Sequence, residues 1–200
     1  MLKRDFKKTI AAQLRDSART LSATAKLAPV IDAAAQDLLR SYRNGGKLLS
    51  FGNGGSSCDA QNFADELTGR YRRNRPALPA VALTANQGDL TSIANDFGFE
   101  FVFERPLSAL GRPGDVAVAI STSGNSKNVL RAAAAARAMG LTVIGLTGRT
   151  GGKLKALCDH CVCVPSDSTA RIQEAHITVI QIWCGILEDE LFPDAPLAHG

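Results

Sequence analysis

Apolar residues recur at helical spacing through the first 45 residues. The first stripe falls at every fourth position: Leu2, Phe6, Ile10 and Leu14. A second stripe follows Pro29: Val30, Ile31, Leu38, Leu39 and Tyr42. Each stripe predicts an amphipathic helix with polar and charged residues on its other side. The turn Asn44-Gly45-Gly46 is expected to end the second helix.

After residue 46, short apolar runs alternate with helical patterns. The predicted strands are 47–51, 79–83, 115–121, 141–147 and 161–165. Helices are predicted at about 57–71, 127–139 and 169–191, with a short helix after 148–152 and one that Pro106 breaks or delays within 99–110. The strands are apolar without alternation, which is typical of a parallel sheet covered on both faces. We predict one α/β domain over residues 1–200, a three-layer α/β/α fold with a five-stranded parallel sheet, N-terminal helices in residues 1–45 and a loose tail at 192–200.

Composition and charge exclude several classes of protein. The chain has 200 residues, 45% hydrophobic and 21% charged, which are ordinary globular values. Its net charge of +4 is too small to indicate nucleic-acid binding. There is no membrane-length apolar run, and the charged N-terminus has no apolar signal core behind it. We therefore expect a cytoplasmic, soluble protein with no membrane partner and no direct contact with nucleic acid.

The cysteines give a weak metal signal. There are five, and the only cluster runs from Cys158 to Cys163 with His160 inside it. This spacing supplies half of a zinc site, and no second half is found elsewhere in the sequence. Cys161 and Cys163 also fall at strand spacing, so we interpret them as buried strand residues.

A glycine-rich loop, Gly52-Asn53-Gly54-Gly55-Ser56-Ser57, joins a predicted strand to a predicted helix. Glycines allow close approach of the backbone to a ligand, and the helix that follows offers free N–H groups to an anion. The third glycine of a dinucleotide fingerprint is replaced by Ser57, and no Gly-Lys-Ser/Thr of an ATP-binding loop follows. A tight turn explains one or two of these glycines, but it does not explain the whole set.

A hydroxyl-rich loop, Ser121-Thr122-Ser123-Gly124-Asn125-Ser126, also lies between a strand and a helix. It supplies four hydroxyl groups in six residues, and Ser126 is placed to cap the helix. Hydroxyls and backbone N–H groups bind a phosphate monoester without a metal ion. In open α/β sheets ligands bind at the carboxyl ends of the strands, where both loops are predicted.

Five segments, taken in order, resemble the sugar-isomerase (SIS) family, and more narrowly its phosphoheptose isomerases. They are 52–56, 94–98, 120–126, 146–148 and 170–176, the last of which reads Ala-Arg-Ile-Gln-Glu-Ala-His. The resemblance runs to Leu191. It implies a flavodoxin-like five-stranded fold, a homotetramer with sites between subunits, and a phosphorylated sugar as substrate. The implied reaction converts sedoheptulose 7-phosphate to D-glycero-D-manno-heptose 7-phosphate, in carbohydrate metabolism and the biosynthesis of lipopolysaccharide heptose.

The resemblance also implies roles for individual residues. Glu66 matches the family's catalytic glutamate in the pattern Ala-x-x-Phe-Ala-x-Glu-Leu and is expected to be the base that forms an enediol. The other implied substrate contacts are Asn53, Gly54, Gly55, Ser56, Asn95, Asp96, Ser121, Thr122, Ser123, Ser126 and Gln173. By their position alone, Asn95-Asp96 also fit a turn, and Gln173 fits an exposed helix residue.

Two positions depart from the phosphoheptose isomerases. Asn62 and Gln181 stand where the family typically has histidines, which bind zinc together with the residues matching Glu66 and Gln173. Because amides are poor zinc ligands and carry no titratable proton, we expect no zinc and no other cofactor. The second acid/base role is then unfilled. His176 is the nearest candidate, as a catalytic stand-in or as a hydrogen-bonded structural histidine.

A non-catalytic function is the main alternative. The bacterial replication-initiator-associating proteins are similar in sequence and in the segment Leu191-Phe192-Pro193, but they lose the residue matching Glu66, which this chain keeps. A sugar-phosphate-binding protein without turnover is the related possibility. The basic run from Arg70 to Arg75 fits a solvated surface or a steering field for an anionic sugar.

Overall fold

The computed structural model describes residues 6–198, so the first five residues of the predicted N-terminal helix and the last two of the predicted tail lie outside it. The helices are α1 (Lys7–Thr24), α2 (Ala28–Arg43), α3 (Gly55–Thr68), α4 (Gln87–Phe97), α5 (Glu104–Leu110), α6 (Lys127–Ala138) and α7 (Thr169–Leu191). The strands are β1 (Leu48–Gly52), β2 (Ala80–Ala82), β3 (Val116–Ser121), β4 (Thr142–Gly148) and β5 (His160–Val164). Single 3₁₀ turns occur at Ala25–Leu27, Phe99–Phe101 and Leu154–Leu157.

The five strands form one parallel sheet in the order β2-β1-β3-β4-β5. This confirms the predicted sheet. The chain order reverses between β1 and β3, whose registers pair Ser50 with Val118 and Gly52 with Ile120. At such a switch point the connections leave toward opposite faces and open a crevice at the carboxyl ends of the strands.

Two apolar cores cover the two faces of the sheet. On one face α2, α3 and α7 pack together around Trp183, which stacks on Phe63 and donates its indole N–H to the carbonyl of Ile31 at 2.9 Å. On the other face α5 and the alanine-rich α6 pack against β1 and β3, with Phe51 and Phe103 in contact. Small alanine side chains let α6 lie close to the sheet. Both faces of the central strands are therefore buried, as their unbroken apolar pattern indicates.

A buried ion pair fixes the segment after α3 to α7. Arg75 and Glu188 are both fully buried, with 3.1 Å between Nε and Oε1. The Glu188 carboxylate also accepts backbone N–H groups from Tyr71, Arg72 and Arg73 at 2.8–2.9 Å. The interpretation of the basic run as a solvated surface is therefore wrong for Arg75, whose charge is paired with buried Glu188.

Of three segments compared with the expected patterns, two differ and one agrees. Helix α4 was not predicted; Asn86 begins it, accepting the N–H groups of Gly88 and Asp89 on its side-chain oxygen. Pro106 lies in the first turn of α5, so that helix begins late, as expected. The segment expected to be a loose tail is hydrogen-bonded over its described part, since residues 196–198 pair with residues 72–74.

Over residues 6–198, no helix combines the length and the apolar character that crossing a membrane requires.

Candidate functional site

The two polar loops meet at the switch point. The glycine-rich loop follows β1 and the hydroxyl-rich loop follows β3, and these strands are neighbours. Asn53 and Asn128, near the start of α6, form a reciprocal amide pair, with N-to-O distances of 2.9 and 2.8 Å. Asn128 is buried, so this pair fixes the first loop to the helix that follows the second. A cavity of about 350 Å³ opens beside them, lined by Asn53, Phe99, Glu100, Ser126, Lys127 and Asn128.

The glycine-rich loop depends on Gly54 and Gly55 for its shape. Gly54 has a φ of +55°, a conformation that favours glycine, and α3 starts at the next residue. A methyl group at Gly55 would overlap the side-chain amide of Gln173, so α7 reaches the loop at this point. In the first turn of α3 the N–H groups of Ser56 and Ser57 donate to the carbonyls of Asn53 and Gly54 at 3.0 and 2.9 Å, so the helix is closed onto the loop that precedes it. The predicted loop is shorter than expected: Asn53 and Gly54 form the turn, whereas Gly55 and Ser56 already belong to the first turn of α3. The contacts of these four residues with substrate stay a prediction.

The hydroxyl-rich loop is held by the segment after β4. Gly124 has a φ of +63° and lies so close to the backbone of Gly151 that a side chain there would overlap it. The N–H of Leu154 donates to the carbonyl of Gly124 at 2.9 Å, and the N–H of Gly148 donates to that of Thr122 at 3.1 Å. Within the loop, the Ser121 and Ser126 hydroxyl oxygens are 3.1 Å apart. The loop therefore presents a cluster of hydroxyls on a fixed backbone, with Thr122 half-buried and Ser123 exposed.

Glu66, on α3, faces α7 and contacts Gln181, the residue that stands where the family typically has a histidine. Gln181 donates from Nε2 to Asn62 Oδ1 at 2.7 Å and to Glu66 Oε1 at 3.4 Å. All three side chains are half-buried. Gln173 lies eight residues before Gln181 on α7, and Gly55 lies seven before Asn62 on α3. The two helices therefore run side by side from the glycine-rich loop to Glu66.

These donors do not fit a zinc site. Asn62 and Gln181 are neutral amides that are hydrogen-bonded to each other, which leaves Glu66 as the one ionisable group of the three. Over the described part of the chain, no group of three or more His, Cys, Asp and Glu side chains is arranged to hold a metal ion. We therefore derive no chemical step through a metal.

The cysteine cluster is divided between two elements: Cys161 and Cys163 lie on β5, and Cys158 follows the 3₁₀ turn Leu154–Leu157. The Cys161 and Cys163 sulfurs are 3.6 Å apart, and Cys163 is near Thr147 on the neighbouring strand. Hydrogen bonding to the Cys158 thiol, together with burial, raises the pKa of Cys161 to about 11. Thiols held in their neutral form are poor ligands and poor nucleophiles.

His176 has the surroundings of a structural histidine. Its ring is fully buried, with Nε2 at 3.0 Å from the backbone carbonyl oxygen of Thr147 on β4. Burial lowers the pKa of His176 to about 4, so the ring is neutral at physiological pH. It lies about 140° around α7 from Gln181, and so faces the sheet. This corrects the expectation that His176 stands in as a catalytic group.

Asn95 and Asp96 are not turn residues. They lie in the last turn of α4, are exposed, and are joined by a 2.8 Å bond from Asn95 Nδ2 to Asp96 Oδ1. In the described chain no hydrogen bond connects them to either polar loop. Their contact with substrate stays a prediction.

Asp59 was missed by the sequence argument. It lies on α3 one turn before Asn62 and two turns before Glu66, at positions i, i+3 and i+7 of one helix face. Its Oδ2 is buried and accepts no hydrogen bond, and burial raises the pKa of Asp59 to about 6. The spacing was visible in the sequence, whereas the burial depends on how α7 packs against α3.

Comparisons with known proteins agree with this geometry. The family model described as SIS domain matches residues 13–148. A phosphoheptose isomerase from Helicobacter hepaticus is 56% identical over 164 residues, covering 82% of this chain and 84% of the relative. The solved phosphoheptose isomerase of Neisseria gonorrhoeae superimposes with a TM-score of 0.88 at 44% identity, covering 92% of this chain and all of the other. That of Francisella tularensis gives a TM-score of 0.90 at 35% identity, covering 94% and 100% of the two chains.

Proposed function

The chain belongs to the SIS domain family and is an isomerase of the phosphoheptose isomerase type, and from this premise we propose that it converts sedoheptulose 7-phosphate to D-glycero-D-manno-heptose 7-phosphate. The observation that carries the proposal is the meeting of two polar loops at the switch point, with Glu66 on the helix that the first loop opens. Isomerising a sugar phosphate requires a site that binds the phosphate group and a base held at a fixed distance from that site.

The phosphate group is assigned to the hydroxyl-rich loop. Ser121, Thr122, Ser123 and Ser126 offer hydroxyls without any fixed cationic side chain among them, so binding is neutral hydrogen bonding that permits release. The loop's attachment to residues 148–154 supports this role, because a rigid loop loses little entropy when it binds a ligand. The sugar carbons then lie toward Asn53, Gln173 and Glu66.

Glu66 is assigned the proton transfer. The ketose carries a carbonyl at C2 and two hydrogens at C1, and moving the carbonyl requires a base that takes one C1 proton and returns it to C2. A half-buried carboxylate with one oxygen held by Gln181 has its second oxygen available for this proton. Gln173, at the glycine-rich loop, is a donor for a sugar hydroxyl or carbonyl oxygen.

We also propose a homotetramer. Phe6, directly before α1, and Ile10 and Leu14 on α1 form an apolar stripe and are 56%, 57% and 67% exposed in the single chain. Such a stripe supports burial against another subunit. From this substrate we also propose that the protein acts in the cytoplasm, in the biosynthesis of lipopolysaccharide heptose.

The test is turnover. Pure protein incubated with sedoheptulose 7-phosphate is expected to accumulate the aldose 7-phosphate, detected by chromatography or NMR. Thermal stabilisation by the ketose without any conversion would overturn the proposal. That outcome would instead favour the alternative, a sugar-phosphate-binding protein without catalysis.

A further inference from the structure

We propose that Asn62 and Gln181 form an amide bridge that takes the place of a metal ion, and that Gln181 positions Glu66 for metal-free isomerisation. The proposal rests on the proposed function for its substrate. It concerns how the site works, and its metal content can be measured whether or not the chain turns over.

The bridge spans the space between two helices. Gln181 on α7 donates one N–H to Asn62 on α3 at 2.7 Å and is 3.4 Å from the carboxylate of Glu66, one turn further along α3. A single amide nitrogen thus connects both α3 side chains. Asn62 Oδ1 and Glu66 Oε1 both face this nitrogen.

The charge of the site also disfavours a divalent cation. Among Asn62, Glu66 and Gln181 the two amides contribute no negative charge, so Glu66 is the one anion of these three, and the carboxyl of Asp59 lies two turns earlier on α3. Amide oxygens are weak ligands for zinc, and Asn62 Oδ1 is occupied by the Gln181 donor. Binding a cation would break the 2.7 Å bond and leave the Gln181 N–H without its acceptor.

Gln181 acts on the reaction through Glu66 and is therefore a positioning residue. By donating to Oε1 it limits the rotation of the carboxylate, and no other described residue donates a hydrogen bond to Oε2. The side-chain N–H groups of Asn62 find no acceptor in residues 6–198, and the structure leaves them for a substrate oxygen. Fixed amide donors stabilise the charge that develops on that oxygen during proton abstraction.

The chemistry balances with one carboxylate. Glu66 takes a proton from C1, the C1–C2 double bond forms, and the electron pair of the carbonyl moves to O2. The hydroxyl proton on O1 passes to the neighbouring O2. The protonated Glu66 then returns its proton to C2 while the carbonyl forms at C1. No second acid or base is consumed, so neither family histidine is required.

The first test compares metal content. The native chain and the double variant Asn62→His/Gln181→His are grown with zinc, dialysed and analysed. We expect the native chain to hold almost none and the double variant about one zinc per chain. If the native chain holds stoichiometric zinc, or if a chelator abolishes its turnover and zinc restores it, the proposal is overturned. A folded double variant without zinc would also contradict it.

This readout is independent of the proposed function. A native chain that binds no zinc and converts no sugar would leave the metal-free site in place while the function fails. If the native chain converts the ketose only with zinc, the proposed function is supported and the proposed role of the amide bridge is overturned.

The second test separates positioning from binding. Gln181→Leu removes the bridge and is expected to lower kcat by about a hundredfold, because the Glu66 carboxylate is misplaced. KM should stay nearly unchanged, because the loop to which the phosphate group is assigned is not altered. Gln181→Asn keeps an amide on a shorter side chain and should show a smaller loss. Gln61→Leu, an exposed amide next to Asn62, is the matched control and should keep native kcat. Unchanged kcat in folded Gln181→Leu would overturn the role.

Discussion

Gln173 lies against Gly55, so closely that a methyl group at Gly55 would overlap its side-chain amide. This contact joins two segments that are 118 positions apart in the sequence. It places the last helix of the fold at the mouth of the first polar loop. Because only the tip of a flexible side chain is in the way, a small side chain at Gly55 displaces Gln173 at little cost to folding.

We expect Gly55→Ala to lower turnover while leaving the fold intact. The added methyl moves the Gln173 amide from the glycine-rich loop, and the change in unfolding free energy should stay within about 1 kcal/mol. Steady-state kinetics and thermal unfolding of the same preparation check this. Native kinetics in Gly55→Ala would show that Gln173 is not needed where it lies.

Gly124→Ala tests the hydroxyl-rich loop in the opposite way. Here the methyl would overlap the backbone of Gly151, so the loop itself must shift. The left-handed conformation costs an alanine about 1–2 kcal/mol, and the overlap adds about 1–3 kcal/mol. Gly45→Ala is the control, since Gly45 has a φ of +77° and open space around it. Thermal unfolding should separate the two variants, and only Gly124→Ala should lose stabilisation by the sugar phosphate.

Much of this architecture follows from local sequence. Unbroken apolar strands dictate a sheet that is covered on both faces, and α7 begins and ends where its pattern predicts, at Thr169 and Leu191. The polar loops follow because glycine and hydroxyl residues directly succeed two strands. Helix α4 was missed because it has no fully buried residue, so it shows only a weak apolar stripe.

The site was only partly accessible from the sequence, since its key contacts join distant segments. The family resemblance gave Glu66 and the departures at Asn62 and Gln181, but not their hydrogen bond, which depends on the packing of α7 against α3. Likewise, the burial of Arg75 depends on Glu188, 113 residues later. A charge run by itself cannot reveal such a partner.

His176 should make the fold sensitive to acid. Its pKa falls from 6.5 to about 4 through burial, so between these values the unfolded chain binds a proton that the folded chain does not. This contribution to stability is present above pH 6.5 and is lost as pH falls toward 4, a change of roughly 3 kcal/mol. His176→Gln should lack it. Denaturant unfolding from pH 7 to pH 4.5 measures the difference, and parallel curves for the two chains would refute the assignment.

Asp59 should act with the opposite sign. Burial raises its pKa from 3.8 to about 6, so the folded chain binds the proton more tightly, and stability falls as pH rises through this window. Asp59→Asn removes the buried charge and should raise the melting temperature relative to the native chain at pH 7 and above. The gain should shrink near pH 4. A gain that does not change with pH would contradict a buried, titrating carboxyl.

The central claim is that Glu66 moves a proton between two sugar carbons while the hydroxyl-rich loop, which has no charged side chain, holds the phosphate group. Its most direct test is NMR of sedoheptulose 7-phosphate in D₂O with chelator-treated protein. We predict conversion to the aldose 7-phosphate by the native chain, with C2 carrying either the transferred hydrogen or solvent deuterium that exchanged onto protonated Glu66, and no product or exchange with Glu66→Gln, although the ketose still raises its melting temperature. Conversion by Glu66→Gln at the native rate, or ketose that binds the native chain without product or exchange, would contradict the account.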